Sequence, residues 1–134
     1  MQITNLTPHP VIILRDDPEG DVVGFTGVGK AAEEGKFSLV AEYTPVGTVA
    51  RAQQRDERVG ELKINGCEVP LIKTVFGETI DLPSPVEGTM YVVSIITAQA
   101  AKASGRSTGD LLITSDPVRD EKGKFIGVRK FATI

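Results

Sequence analysis

Fourteen glycines, eight prolines and the pair Asn65-Gly66 cut this 134-residue chain into short apolar runs. That punctuation is what most limits its fold. Gly and Pro mark turns, and Asn-Gly readily takes the two positive-φ positions of a two-residue primed hairpin turn. The expectation is a mainly β (α+β) protein, an antiparallel β-meander or barrel-like sheet with one short alanine-rich helix, in a single β-rich domain over residues 1–134. Met1 to Asn5 and Val11 to Arg15 read as strands flanking the rigid Thr7-Pro8-His9-Pro10. Phe37 to Glu42 alternates apolar and polar residues. Val46 to Gln54, Glu57 to Asn65 and Glu68 to Phe76 read as three strands of a meander. Val22 to Lys36 is glycine-rich and undecided. Asp110 to Thr114 and Phe125 to Phe131 read as strands, with Asp120 to Lys124 as a tight charged loop.

Between Gly88 and Asp120 the strand Met90-Tyr91-Val92-Val93 runs directly into Ser94 and the segment Ile95 to Ser104. Ser94 reads as an N-cap, and Gly105 suits the left-handed position that closes a helix. The free amides of the first helical turn form a weak positive pole suited to an anion.

The formal charge of −3 gives no field that would gather nucleic acid, so any anion must be gripped by local arginines. Cys67 is alone, which excludes an intramolecular disulfide and suits a reducing, cytoplasmic location. The N-terminus has no basic segment followed by a long apolar core, and no apolar run approaches the length of a membrane span. Neither nucleic acid nor membrane is therefore expected as a partner.

Catalytic motifs are missing. The chain has no GxxxxGK, HExxH, CxxC or GxSxG. A nucleophilic triad would have to use His9, held between two prolines, and the simpler reading is a histidine decorating a rigid turn. Zinc would need His9, Cys67 and carboxylates without motif spacing. Magnesium on Asp110, Asp116 and Asp120 is chemically reasonable, but turn and capping roles suit these aspartates better. The expectation is a binding protein without cofactor or metal rather than an enzyme.

Arginine supplies the binding vocabulary, because its planar fork matches phosphate and carboxylate. Arg51 lies on a strand, Arg106 follows the helix at its glycine cap, and Arg119 sits beside Asp120. For Arg119 an ion pair to Asp116 or Asp120 is an equal alternative. Arg129 and the run Arg55-Asp56-Glu57-Arg58 read as solvated surface. Seven aromatics without Trp offer no extended stacking platform. Tyr91, Phe76 or Phe125 could floor one small pocket, with a core role the better reading for the two phenylalanines. The candidate ligand-binding set is Arg51, Tyr91, Ser94, Arg106, Asp110, Arg119 and Asp120.

Several phrases spread along the chain resemble a family of small proteins encoded by bacteriophages and prophages. They are Asn5-Leu6-Thr7-Pro8-His9, Gly47-Thr48-Val49-Ala50-Arg51, Val75-Phe76-Gly77-Glu78 and Leu82-Pro83 through Tyr91-Val92-Val93-Ser94. Asp110-Leu111-Leu112 through Val118-Arg119-Asp120, then Gly123 and Phe125-Ile126-Gly127, complete the set. Val22 to Tyr43 departs from the pattern by its length. The resemblance implies an accessory protein acting in the cytoplasm of the infected host cell. One class of such proteins consists of sponges, homo-oligomers that hold nucleotide second messengers of host immunity in pockets between subunits. In that reading the ligand is a cyclic oligonucleotide or cyclic ADP-ribose type signal, bound without cleavage. The alternatives are a protein–protein inhibitor of a host defence protein and a small phosphodiesterase-like hydrolase.

Overall fold

The computed structural model describes residues 1–134, and the chain is mainly β with one α-helix. In chain order the elements are β1 (Gln2–Asn5), β2 (Val11–Asp16), β3 (Val22–Thr26), a 3₁₀ turn (Gly29–Ala31) and β4 (Glu33–Tyr43). There follow β5 (Arg51–Ile64), β6 (Cys67–Ile80), β7 (Thr89–Val92), α1 (Ile95–Ala103), β8 (Leu111–Arg119) and β9 (Phe125–Ala132). Two regions result: a body built from a seven-stranded sheet plus α1, and an arm consisting of β5 and β6 alone.

Five strands of the body close on themselves. β8 pairs β3, β3 pairs β4, β4 pairs β2, β2 pairs β9 and β9 returns to β8; all are antiparallel except β2–β9. Leu14, Phe37 and Val118 fill this barrel, with Ile12, Val22 and Ile126 packed around them. Closure brings backbone very near side chain at Gly24, where an added Cβ would lie 2.4 Å from Val118 Cγ1. The first half of β8 leaves the barrel to join β7 and β1 in a parallel annex. β7 is buried on both faces, as a central parallel strand should be. Tyr91 and Val93 face α1 and Leu111, whereas Val92 packs with Val11 and Leu112.

The helix forms where its caps allow. Ser94 Oγ accepts from the Thr97 amide at 3.2 Å, and buried Thr97 donates to the Ala50 carbonyl at 3.2 Å. Ala98 and Ala101, wholly buried, let α1 lie close on the sheet. At the far end Arg106 N reaches Ala101 O and Gly105 N reaches Lys102 O, with Gly105 at φ 87°: the paired bonds of a Schellman cap.

The meander expected between Val46 and Phe76 is corrected. β5 runs from Arg51 through Gln54-Arg55-Asp56 to Ile64 without a turn, and β6 returns antiparallel after Asn65 (φ 49°) and Gly66 (φ 80°). The undecided Val22–Lys36 stretch supplies β3 and the start of β4, joined by the 3₁₀ turn. No helix is long and apolar enough to cross a membrane.

Candidate functional site

The organising residue of the site is Asn5, a buried polar side chain whose hydrogen-bonding capacity is used in full. Its Nδ2 donates to the carbonyls of His9 (2.8 Å) and Tyr43 (2.9 Å), while Oδ1 accepts from Thr7 N (2.9 Å) and Thr7 Oγ1 (2.6 Å). A buried amide satisfied in this way fixes the loop around it. The segment Thr7 to Pro10 is thereby held beside Ser94.

Two concavities meet there. The first is a cavity of about 370 Å³ whose lining is mostly apolar, with Val93, Ile95, Ile113 and Phe125 among its walls and His9 and Thr114 among its polar groups. The second is an open groove bounded by Pro8, Arg51, Gln54, Ile96 and Thr97. Thr7 and Ser94 line both. The amides of Ile95 and Ile96, at the first two positions of α1, have no partner inside the helix and carry its positive pole. Arg51 is placed on the groove by two bonds at the arm's root: Ala50 N to Leu6 O (3.0 Å) and Thr97 Oγ1 to Ala50 O.

The seven residues singled out from the sequence do not share one site. Arg51 and Ser94 come together on the groove. Tyr91 floors no pocket; it is 6% exposed beneath α1, because strand alternation sets it on the same face as Val93. Arg106 and Asp110 grip each other through two 2.8 Å bonds, and Arg106 also donates to Ser107 O (2.7 Å) and Pro83 O (2.8 Å). This fork ties the turn after α1 to the connector before β7, with both terminal nitrogens occupied by the protein itself and Nε buried without a partner. Asp120 Oδ1 accepts from the amides of Lys122 and Lys124, which closes the β8–β9 turn. Arg119 makes no ion pair with Asp116 or Asp120, reaches only Gly123 O at 3.5 Å, and lies across the ladder from Phe125.

Two further readings change. Arg129 is no solvated surface residue; it bridges Asp16 (3.0 and 3.1 Å) and Asp116 (2.7 Å), and these carboxylates, the Asp16 hydrogen bond first, hold its pKa above the usual arginine value against an opposing desolvation. Phe76 and Phe125 are exposed rather than core. Asp110, Asp116 and Asp120 each have separate partners, and no group of three His, Cys, Asp or Glu side chains gathers as metal ligands would.

His9 is the site residue that sequence reasoning passed over. A strand-ending Asn followed two residues later by Thr signals a side-chain-built turn. Nothing in the sequence says that this turn stands beside Ser94.

Compared with protein-family models, with curated proteins and with solved structures, the chain matches none.

Proposed function

We propose that this chain is a non-catalytic binding protein for a small anionic ligand of the nucleotide class, and that in the phage setting implied by its sequence resemblance it sequesters an immune second messenger. The observation that carries this reading is the meeting of an apolar cavity with a cationic groove along Thr7 and Ser94. A volume of about 370 Å³ is at the small end for ligand pockets and suits one planar base. Phe125, His9 and Thr114 are among the residues that line the cavity. The phosphates then fall in the groove, on the α1 amides and the Arg51 guanidinium. Charge-assisted bonds of about 1.5–3 kcal/mol each give micromolar or tighter capture after the cost of association. Capture alone needs no nucleophile or tuned base. The groove is open on one side, which a second subunit of a homo-oligomer would close.

Calorimetry with a panel of cyclic dinucleotides, cyclic trinucleotides and ADP-ribose isomers tests the proposal, with native mass spectrometry reading the bound mass. Binding of at least one intact ligand is expected, weakened about 10- to 100-fold by Arg51→Ala with an unchanged circular-dichroism spectrum. No binding across the panel, or equal affinity in the variant, overturns it. Recovery of a cleaved ligand would instead establish a hydrolase.

A further inference from the structure

Beyond its root, where Arg51 and Gln54 border the groove, the arm stands free of the rest of the protomer. None of the residues of β5 and β6 is buried, and eight large apolar side chains on it are exposed. At about 3.4 Å per residue, fourteen-residue strands make a ribbon about 45 Å long. A two-stranded ribbon by itself is marginally stable in water. Its two faces differ. β6 is regular from Cys67 to Phe76, so register places Ile64, Leu62, Gly60 and Glu57 of β5 on one face with Cys67, Val69, Leu71 and Lys73 of β6. The opposite face is mainly charged, with Asp56, Arg58, Glu61, Lys63 and Glu68 around Pro70, Ile72 and Phe76, and its own bonds confirm the assignment: Thr74 Oγ1 to Asp56 at 3.1 Å and Arg58 to Glu61 at 3.0 Å.

We infer that the apolar face of the arm is a pairing surface for the arm of a second copy, packed face to face about a two-fold axis running along the arm. Charge favours an identical partner. Arg51, Arg55, Arg58, Lys63 and Lys73 balance Asp56, Glu57, Glu61, Glu68 and Glu78, so the arm is neutral and the whole −3 resides on the body. Two arms do not repel, and they carry no field to recruit a strongly charged stranger.

Shape and register favour it as well. The two-fold axis sets β5 of one copy over β6 of the other. Leu62 then faces the second copy's Val69, and Ile64 its Cys67. Leu71 enters the space above Gly60, where an added Cβ would meet nothing within 4 Å. Glu57, bonded to Arg55 at 2.8 Å in its own protomer, faces the second copy's Lys73, which has no carboxylate within 4.0 Å in its own protomer. Edge-to-edge pairing is disfavoured: β5 is interrupted between Ala52 and Gln54 and between Arg58 and Gly60, and Pro70 removes a donor from β6. Full-length overlap of two faces about 45 Å long and 10 Å wide buries on the order of 900 Å², below the standard size of specific complexes, so weak dimerisation in the high micromolar range is expected. This pairing is independent of the ligand reading and stands if that reading fails.

Sedimentation velocity from about 1 to 500 µM tests it. The wild type is expected to dimerise and Leu62→Asp to remain monomeric with the same thermal midpoint for its body. Glu57→Lys and Lys73→Glu are each expected to dimerise at least about 10-fold more weakly alone, and an equimolar mixture to recover a heterodimer. A wild type that stays monomeric throughout overturns the inference. So does a dimer indifferent to Leu62→Asp, or a mixture no tighter than the single variants.

Discussion

Body and arm are made of the same ladder hydrogen bonds, yet their side chains are disposed in opposite ways. In the body, strands close into a barrel and an annex, and every buried residue of the chain lies there. In the arm, two strands longer than any other share a register of twelve residue pairs and bury nothing. The difference teaches where the stability of a strand comes from: backbone bonding makes a ladder possible, and side-chain burial makes it stable. The body supplies its own burial. For the arm, the proposed pairing with a second copy would supply it.

The largest effect should come from cutting the body's packing and sparing the arm's. Leu111→Ala, at a side chain 1% exposed, is expected to cost about 3–4 kcal/mol in denaturant unfolding. Leu62→Ala, measured at a concentration where the protein is monomeric, should move the same transition by less than about 0.5 kcal/mol. Equal losses would erase the distinction between the regions. Next in size is Arg106→Ala. Removing the fork leaves the Asp110 carboxylate and the Pro83 and Ser107 carbonyls without their donor, for about 2–3 kcal/mol, and Arg106→Lys should restore little because an ammonium cannot span both oxygens. Ligand affinity should be affected only through the fold, which separates Arg106 from Arg51.

The smallest effect is a pH dependence confined to the body. Bonds from Ser38 Oγ and the Glu19 amide hold the Asp17 carboxyl below the usual aspartate range against an opposing desolvation, with the Arg15 charge a lesser contribution. A carboxylate depressed in the folded state stabilises above its unfolded pKa, and that contribution is lost as pH falls below about 4. Asp17→Asn should flatten the acid limb of the body's thermal midpoint without altering dimerisation. An unchanged acid limb would show that Asp17 contributes nothing.

Local chemistry was legible in the sequence and long-range assembly was not. Asn65-Gly66 announced its hairpin, and Ser94 and Gly105 announced both ends of α1, because turns and caps are set by residues a few positions apart. The polar run Gln54-Arg55-Asp56 looked like a break in a meander; with no buried face in the protomer, the arm's solvent-facing charges hide the period of a strand. The parallel β2–β9 contact that helps close the barrel joins Ile13 to Val128, a separation no local pattern reports. The candidate site was half legible for the same reason. Ser94 could be read from its helix and Arg51 from its residue type, but their meeting depends on Thr97 bonding Ala50, and the place of His9 depends on Asn5. The Arg106–Asp110 fork was misread as ligand vocabulary because it forms only once the Gly105 cap has turned the chain.

The contrast between the two regions is tested most directly by amide hydrogen exchange followed across protein concentration. Amides of β2, β4, β8 and β9 should exchange at concentration-independent rates, whereas those of β5 and β6 should slow as concentration rises through the dimer range. Arm amides equally protected at the lowest and highest concentrations would mean that the ribbon is stable alone, and the central claim would be wrong.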